Sequence, residues 1–262
     1  MHELLSSFLS NESKFGKLMT RVAIIIAANL LFILFSFPVV TAGAAFAALY
    51  HVMLKTLRGD GVINPFVQFW IGFRTNFKQA TIAWLLALAL AVFGYVDVRV
   101  CLQAGGLIGS FRYAIYALGV LLFIVMLYLF PTMAAFENTL PNLARSGLYF
   151  AFHRPLKLAV NLFFHVFPMV LTYTDAQTLP LYAFLWCTFG FGAIAMLTAR
   201  LLLPEFRPYL PLVDDCGDFI LDKDGNQQKP GSEPENVPER HREMTEKEIL
   251  EEMRKLGMQR RY

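Results

Sequence analysis

Beyond the first apolar run, four stretches of this chain continue for 17 or more residues without Asp, Glu, Lys or Arg, and they decide what it can fold into. They cover residues 80–96, 113–136, 158–174 and 176–199. A helix needs about 20 apolar residues to cross the hydrocarbon of a bilayer, and about 17 suffice when flanking side chains reach the interface. Only 16% of all residues are charged, against about a quarter in a typical soluble domain. The sequence therefore predicts an all-α, polytopic transmembrane helix bundle.

The first apolar run, residues 22–54, is too long for one crossing. At about 1.5 Å per residue its 33 residues would form a helix of roughly 50 Å. The sequence SFPVVTAG interrupts it at 36–43, where Pro38 removes a backbone donor and Gly43 lowers helix propensity. Two interpretations follow: one kinked and tilted helix, or two short arms that form a hairpin or a re-entrant pair.

The distribution of basic residues favours an even number of crossings for this run. Lys14, Lys17 and Arg21 precede it, and further bases follow it at 55, 58, 74 and 78. Because Lys and Arg are retained on the cytoplasmic side, both flanks are predicted to be cytoplasmic. We therefore expect six crossings, or four plus a re-entrant hairpin, in the plasma membrane with both termini cytoplasmic. The alternative is five crossings with an external N-terminus.

Charge and composition divide the chain into three parts. Residues 1–21 are predicted to form a cytoplasmic amphipathic segment and residues 22–203 the transmembrane bundle. Residues 1–203 hold thirteen Lys and Arg against six Asp and Glu, a net charge of +7. Residues 204–262 hold ten against fourteen, a net charge of −4, and begin with three helix-breaking prolines at 204, 208 and 211. We expect a polar, partly flexible cytoplasmic tail with a short amphipathic helix at about 246–257, which Thr245 and Glu248 would cap.

Sequence motifs for catalysis are absent. The chain has no phosphate-binding GxxxxGK[ST] loop, no HExxH metal helix and no GxSxG nucleophile elbow. Its three cysteines, at 101, 187 and 216, are too far apart to indicate a disulfide framework or a zinc site. We therefore expect a protein that is not an enzyme, with no cofactor, no metal and no nucleic-acid partner, surrounded by membrane lipid.

Polar residues at membrane depth are the candidate functional residues, because such groups are costly in hydrocarbon. Asn161 and His165 are four residues apart and share a helix face. Asn29 lies in the first arm, and Thr41 follows the proline break. These groups could form interhelical hydrogen bonds that hold the bundle together, or they could line a path for a solute or a proton. The break at 38–43 also fits the discontinuous helices that transporters use.

The same region carries a family resemblance. NLLF at 29–32, FPVVTAG at 37–43 and AALY at 47–50 resemble the N-terminal signature of the YesL-like family, domain of unknown function 624. The aromatic and basic block at 66–79 resembles the family's second block. The resemblance implies a small integral membrane protein, typical of Gram-positive bacteria and often encoded beside carbohydrate ABC-type uptake systems. No activity is established for the family, so Asn29, Pro38, Thr41 and Gly43 carry over only as motif positions.

Two functions are consistent with these features. The first is an accessory or regulatory component of carbohydrate ABC-type uptake, which the resemblance and the missing energy-coupling motif favour. Its partners would be permease subunits of the transporter, or further copies of this chain. The alternative is a small-solute transporter or channel for sugars, which the broken first run and the Asn161/His165 face favour.

Overall fold

The structure, a computed structural model, describes residues 14–58, 63–174 and 176–210. Within these ranges it contains nine α-helices and no strands: α1 Lys14–Ser36, α2 Ala42–Arg58, α3 Pro65–Ala104, α4 Gly106–Ser110, α5 Arg112–Ala135, α6 Leu140–His153, α7 Pro155–Thr174, α8 Leu179–Leu185 and α9 Phe191–Phe206. A π-helical turn, Trp186–Gly190, joins α8 to α9. The all-α prediction is confirmed. The predicted tail helix at 246–257 lies outside the described residues.

Six helical segments of the described chain are long and apolar enough to cross a membrane. They are Gly16–Ser36, Val39–Arg58, Pro65–Ala104, Gly106–Ala135, Pro155–Thr174 and Leu179–Tyr209. Pro131 and Pro168 lie inside two of these helices without ending them. The predicted polytopic bundle of five to six spans is therefore confirmed.

The first apolar run folds as two helices. α1 ends at Ser36, a short 3₁₀ turn covers Val39–Thr41, and α2 begins at Ala42. The arms return along each other, since the Phe32 ring lies 4.6 Å from the Phe46 ring. The run therefore folds as two arms and not as a single kinked helix. Pro38 separates the arms because it has no N–H to continue α1.

α3 is the longest helix and has two halves with different neighbours. Its 40 residues extend over about 60 Å, twice the thickness of the hydrocarbon layer. The Asn64 side chain caps it by accepting hydrogen bonds from the backbone N–H groups of Phe66 and Val67. The first half packs along α2, where Gly72 lies against His51. The second half, which contains the predicted span 80–96, continues beyond α2 and packs on α5.

The bundle ends later than the predicted boundary at residue 203. α9 continues through Pro204 to Phe206, and both Phe206 and Leu210 are buried. The Phe206 ring lies 5.2 Å from Phe136 and 5.0 Å from Phe150. Proline does not stop the helix here, because near a C-terminus it removes only one backbone hydrogen bond. Residues 204–210 thus pack with the bundle rather than with the tail.

Candidate functional site

The turn between α1 and α2, residues 37–41, is the hairpin tip, and Thr41 closes it. Its Oγ1 lies 2.6 Å from the Phe35 carbonyl oxygen and 2.9 Å from that of Pro38. The Thr41 backbone N–H also donates to Pro38 O, at 2.9 Å. Because Thr41 binds carbonyls that the end of α1 leaves free, it acts as a local C-terminal cap.

Gly43 and Trp84 attach the hairpin tip to α3. The Trp84 Nε1–H donates to the Val39 carbonyl oxygen at 2.8 Å. A methyl group added at Gly43 would lie 2.5 Å from both Ala80 O and Trp84 Cβ. Any larger residue at 43 would force the backbones of α2 and α3 apart, so glycine is required here by a close approach of two helices.

Asn29 links α1 to the π-helical turn. Its side chain is fully buried, and its Nδ2 donates to the carbonyl oxygens of Trp186 and Cys187, at 3.1 and 2.8 Å. Its Oδ1 accepts from the Gly192 backbone N–H at 2.9 Å. A π-helical turn widens the helix and displaces backbone groups from their usual partners. One amide therefore satisfies three backbone groups of another helix, which a buried backbone requires.

Asn161 belongs to a buried polar cluster that joins four helices. Its side chain is 1% exposed, and its Oδ1 accepts a hydrogen bond from Thr198 Oγ1 at 2.8 Å. The Tyr50 hydroxyl interacts with Thr198, and the Tyr128 side chain lies beside the Asn161 amide. The cluster thus connects α2, α5, α7 and α9. Asn161 Nδ2 is buried without a hydrogen-bond partner among the described residues.

His165 is placed differently from Asn161. Its ring Nδ1 lies 2.9 Å from the backbone oxygen of Asn161, one turn earlier in the same helix. The ring is partly exposed, whereas the Asn161 side chain is buried. The shared face predicted from the spacing is present, but only Asn161 is joined to other helices by a side-chain hydrogen bond that the structure shows.

An ion pair at the ends of α7 and α9 was missed at the level of sequence. Glu205 is 8% exposed, and its Oε1 lies 2.8 Å from Lys157 Nζ and 3.5 Å from Arg154 Nε. Lys157 Nζ also donates to the Leu201 carbonyl oxygen, at 3.1 Å. A lone acid between Arg200 and Arg207 was the available signal. Because composition places the end of the bundle at 203, the sequence assigns this acid to the tail.

An apolar groove lies near the other end of α7 and α9. Its lining comprises Met169, Thr172, Tyr173, Leu179, Trp186 and Phe191. The Trp186 Nε1–H donates to Thr172 Oγ1 at 3.0 Å, so the indole donor is already used. In the part of the chain that the structure describes, no group of three or more His, Cys, Asp or Glu is placed to hold a metal ion.

Residues 25–98 match the model of a family described as "Protein of unknown function, DUF624". No curated protein and no solved structure matches the chain. The matched range contains the second half of α1, the hairpin tip, α2 and most of α3. The match and the six apolar helices together indicate an integral membrane protein that is similar to a family of unknown function.

Proposed function

We propose that this protein is a non-enzymatic accessory or regulatory component of carbohydrate ABC-type uptake, of the YesL-like kind, in the plasma membrane of a Gram-positive bacterium. The observation that supports it best is the use of the motif residues. Asn29 and Gly43 make contacts between helices, and Thr41 closes the turn between α1 and α2. The motif residues thus have structural roles in the bundle, as expected for a protein that acts through partners.

The proposed orientation places both termini in the cytoplasm. The start of α1, the end of α2 and the contact between α7 and α9 all lie at the same end of the bundle. This end carries most of the basic residues of the described chain, including Arg21, Arg58, Arg154 and Lys157. Retention of Lys and Arg in the cytoplasm therefore supports this direction for the bundle.

Affinity purification in a mild detergent tests the accessory function. The tagged full-length chain, solubilised from its own membranes, is expected to retain the permease subunits or the binding protein of a carbohydrate transporter. An unrelated tagged polytopic protein, expressed at the same level, is the control for adventitious capture. Recovery of the chain alone, with the transporter only in the unbound fraction, would contradict the proposal.

The second candidate is a small-solute transporter or channel. It is favoured by one specific observation, the buried Asn161 amide, whose Nδ2 lies beside the Tyr128 side chain without a well-aligned hydrogen bond, because such a donor is costly. The π-helical turn supports the same candidate, since such turns are frequent at functional sites.

Sugar uptake by vesicles that contain only this protein tests the second candidate. If it transports sugars, Asn161→Ala is expected to lower the flux at least several-fold. Asn76→Ala is the control, because the Asn76 side chain bonds only to its own helix, at Gly72 O. Absence of flux in the unmodified protein, or flux that survives both Asn161→Ala and His165→Ala unchanged, would exclude this site.

A further inference from the structure

Arg58, the last residue of α2, holds one edge of its guanidinium group inside the protein without a partner. Its Nε and Nη2 atoms are both buried, and neither makes a hydrogen bond to any residue that the structure describes. No ion pair joins the side chain to a carboxylate of the described residues. A buried charge is costly unless it is paired and hydrogen-bonded. The structure therefore leaves one counter-charge unaccounted for at the end of α2.

The acids of the described chain do not supply this counter-charge. They are Asp97, Glu137 and Glu205. Glu205 is already paired with Lys157. Asp97 lies about 48 Å along α3 from its first residue, which is too far from the end of α2 for an ion pair. Glu137 is exposed and forms no ion pair with Arg58. The missing anion is therefore not among the described residues.

The surroundings of Arg58 are themselves basic. His51, Lys55 and Arg58 are spaced so that they share one face of α2. The charges of Lys55 and Arg58 both act on the His51 ring, so the three groups lie close together. The ring itself is held by the Gln68 side chain and by the Ala134 backbone. This face of α2 is thus a positively charged site that is bounded by the start of α3 and the end of α5.

We propose that Arg58 anchors a binding site for a phosphate-bearing anion, with Lys55 as a second positive charge. The Nε and Nη2 edge of a guanidinium presents two parallel N–H groups, which match two oxygens of one phosphate group. Arg58 as a whole is only half-buried, so rotation of its long side chain opens this edge to an anion. In the proposed orientation the end of α2 faces the cytoplasmic leaflet, where anionic lipid headgroups are concentrated. The phosphate group belongs either to such a headgroup or to a free phosphate ion.

Thermal unfolding of the delipidated full-length protein in detergent tests the site. Phosphatidylglycerol is added as the anionic lipid, and phosphatidylcholine with the same acyl chains as the zwitterionic control. A ligand that binds only the folded state stabilises it, so we expect phosphatidylglycerol to raise the unfolding midpoint by several degrees and phosphatidylcholine to leave it unchanged. Inorganic phosphate, compared with chloride at equal ionic strength, distinguishes the two sources. A rise with inorganic phosphate assigns the site to free phosphate, and a rise with phosphatidylglycerol alone assigns it to a lipid headgroup.

Three variants identify the anchoring side chain. Arg58→Gln is expected to abolish the rise. Without an anion it should unfold at no lower temperature than the unmodified protein, because it removes an unpaired buried charge. Arg58→Lys keeps the charge but loses the paired N–H groups, so a smaller rise is expected, and this variant decides the test if Arg58→Gln does not fold. Arg145→Gln is the matched control, because it removes an exposed arginine from α6 and should leave the rise unchanged.

Three outcomes would overturn the proposal. The first is an unfolding midpoint of the unmodified protein that neither phosphatidylglycerol nor inorganic phosphate raises. The second is a rise in the Arg58 variants that equals the rise in the unmodified protein. The third concerns Asp60, the acid nearest to Arg58 in the sequence, which lies outside the described residues. If Asp60→Asn and Arg58→Gln destabilise the anion-free protein equally, the counter-charge is this aspartate and not a phosphate group.

Discussion

Gly43 occupies the closest approach between α2 and α3, and the reason for a glycine there is steric rather than conformational. Its backbone is helical, so any residue could adopt it, but no other side chain fits against Ala80 and Trp84. Of the motif positions, Asn29 and Gly43 hold the first hairpin against the rest of the bundle, and Thr41 closes the hairpin tip.

Replacement of Gly43 by alanine should destabilise the bundle. The added methyl group would overlap backbone and side-chain atoms that cannot both move away, and overpacking of this kind typically costs about 1–3 kcal/mol. We expect a lower midpoint of thermal unfolding in detergent, measured by tryptophan fluorescence. Gly119→Ala is the matched control, because a methyl group there meets nothing within 4 Å. Equal midpoints for the two variants would show that the contact at Gly43 is unimportant.

At the scale of single residues, the sequence indicates which residues matter for the structure, but it does not predict which residues they contact. The sequence predicts that both Pro38 and Gly43 interrupt a helix, and only Pro38 does so. Gly43 instead lies within α2, because its contact with α3 outweighs the low helix propensity of glycine. Asn29 was singled out as a polar residue at depth, yet its partners lie more than 150 residues away in a π-helical turn. No local pattern in the sequence predicts such a turn or its neighbour.

At the scale of elements, the contact between α1 and the π-helical turn is the one that depends most on a single side chain. Asn29→Ala leaves two carbonyls and one N–H without partners in a buried place. We expect a loss of about 1–3 kcal/mol, typical of buried polar groups that lose their hydrogen bonds.

The measurement for Asn29→Ala is the amount of protein that stays monodisperse after heating in detergent. Asn76→Ala serves as the comparison, since it removes an asparagine whose hydrogen bond remains inside α3. The Asn76 variant should behave like the unmodified chain. If the two variants lose equal amounts of monodisperse protein, the interhelical role of Asn29 is refuted.

Considered as a whole, the molecule includes seven residues that composition assigned to its tail. Glu205 pairs with Lys157, and Phe206 packs between Phe136 and Phe150. The change in composition after Leu203 is real, but packing continues past it because the last turn of α9 still faces the core. Composition predicts where the apolar, lipid-facing part of a helix ends. Here α9 continues beyond that point, because its last turn is buried in the bundle.

Two truncations test where the bundle ends. A chain that stops after residue 203 loses the Glu205 ion pair and the Phe206 contacts. We expect that truncation to aggregate on extraction. A chain that stops after residue 210 retains all of these contacts and should remain extractable as a monodisperse species. Size-exclusion chromatography in the same detergent compares them. Indistinguishable profiles would place the end of the bundle at 203, as composition suggested.

The bond between Asn29 and the π-helical turn also sets an order of events during synthesis. Its two ends are separated by 157 residues, which a ribosome adds in about 8 to 30 s. Throughout that interval the Asn29 amide lacks the partners that it has in the folded bundle. The first hairpin therefore precedes by many seconds the helix that satisfies its buried amide.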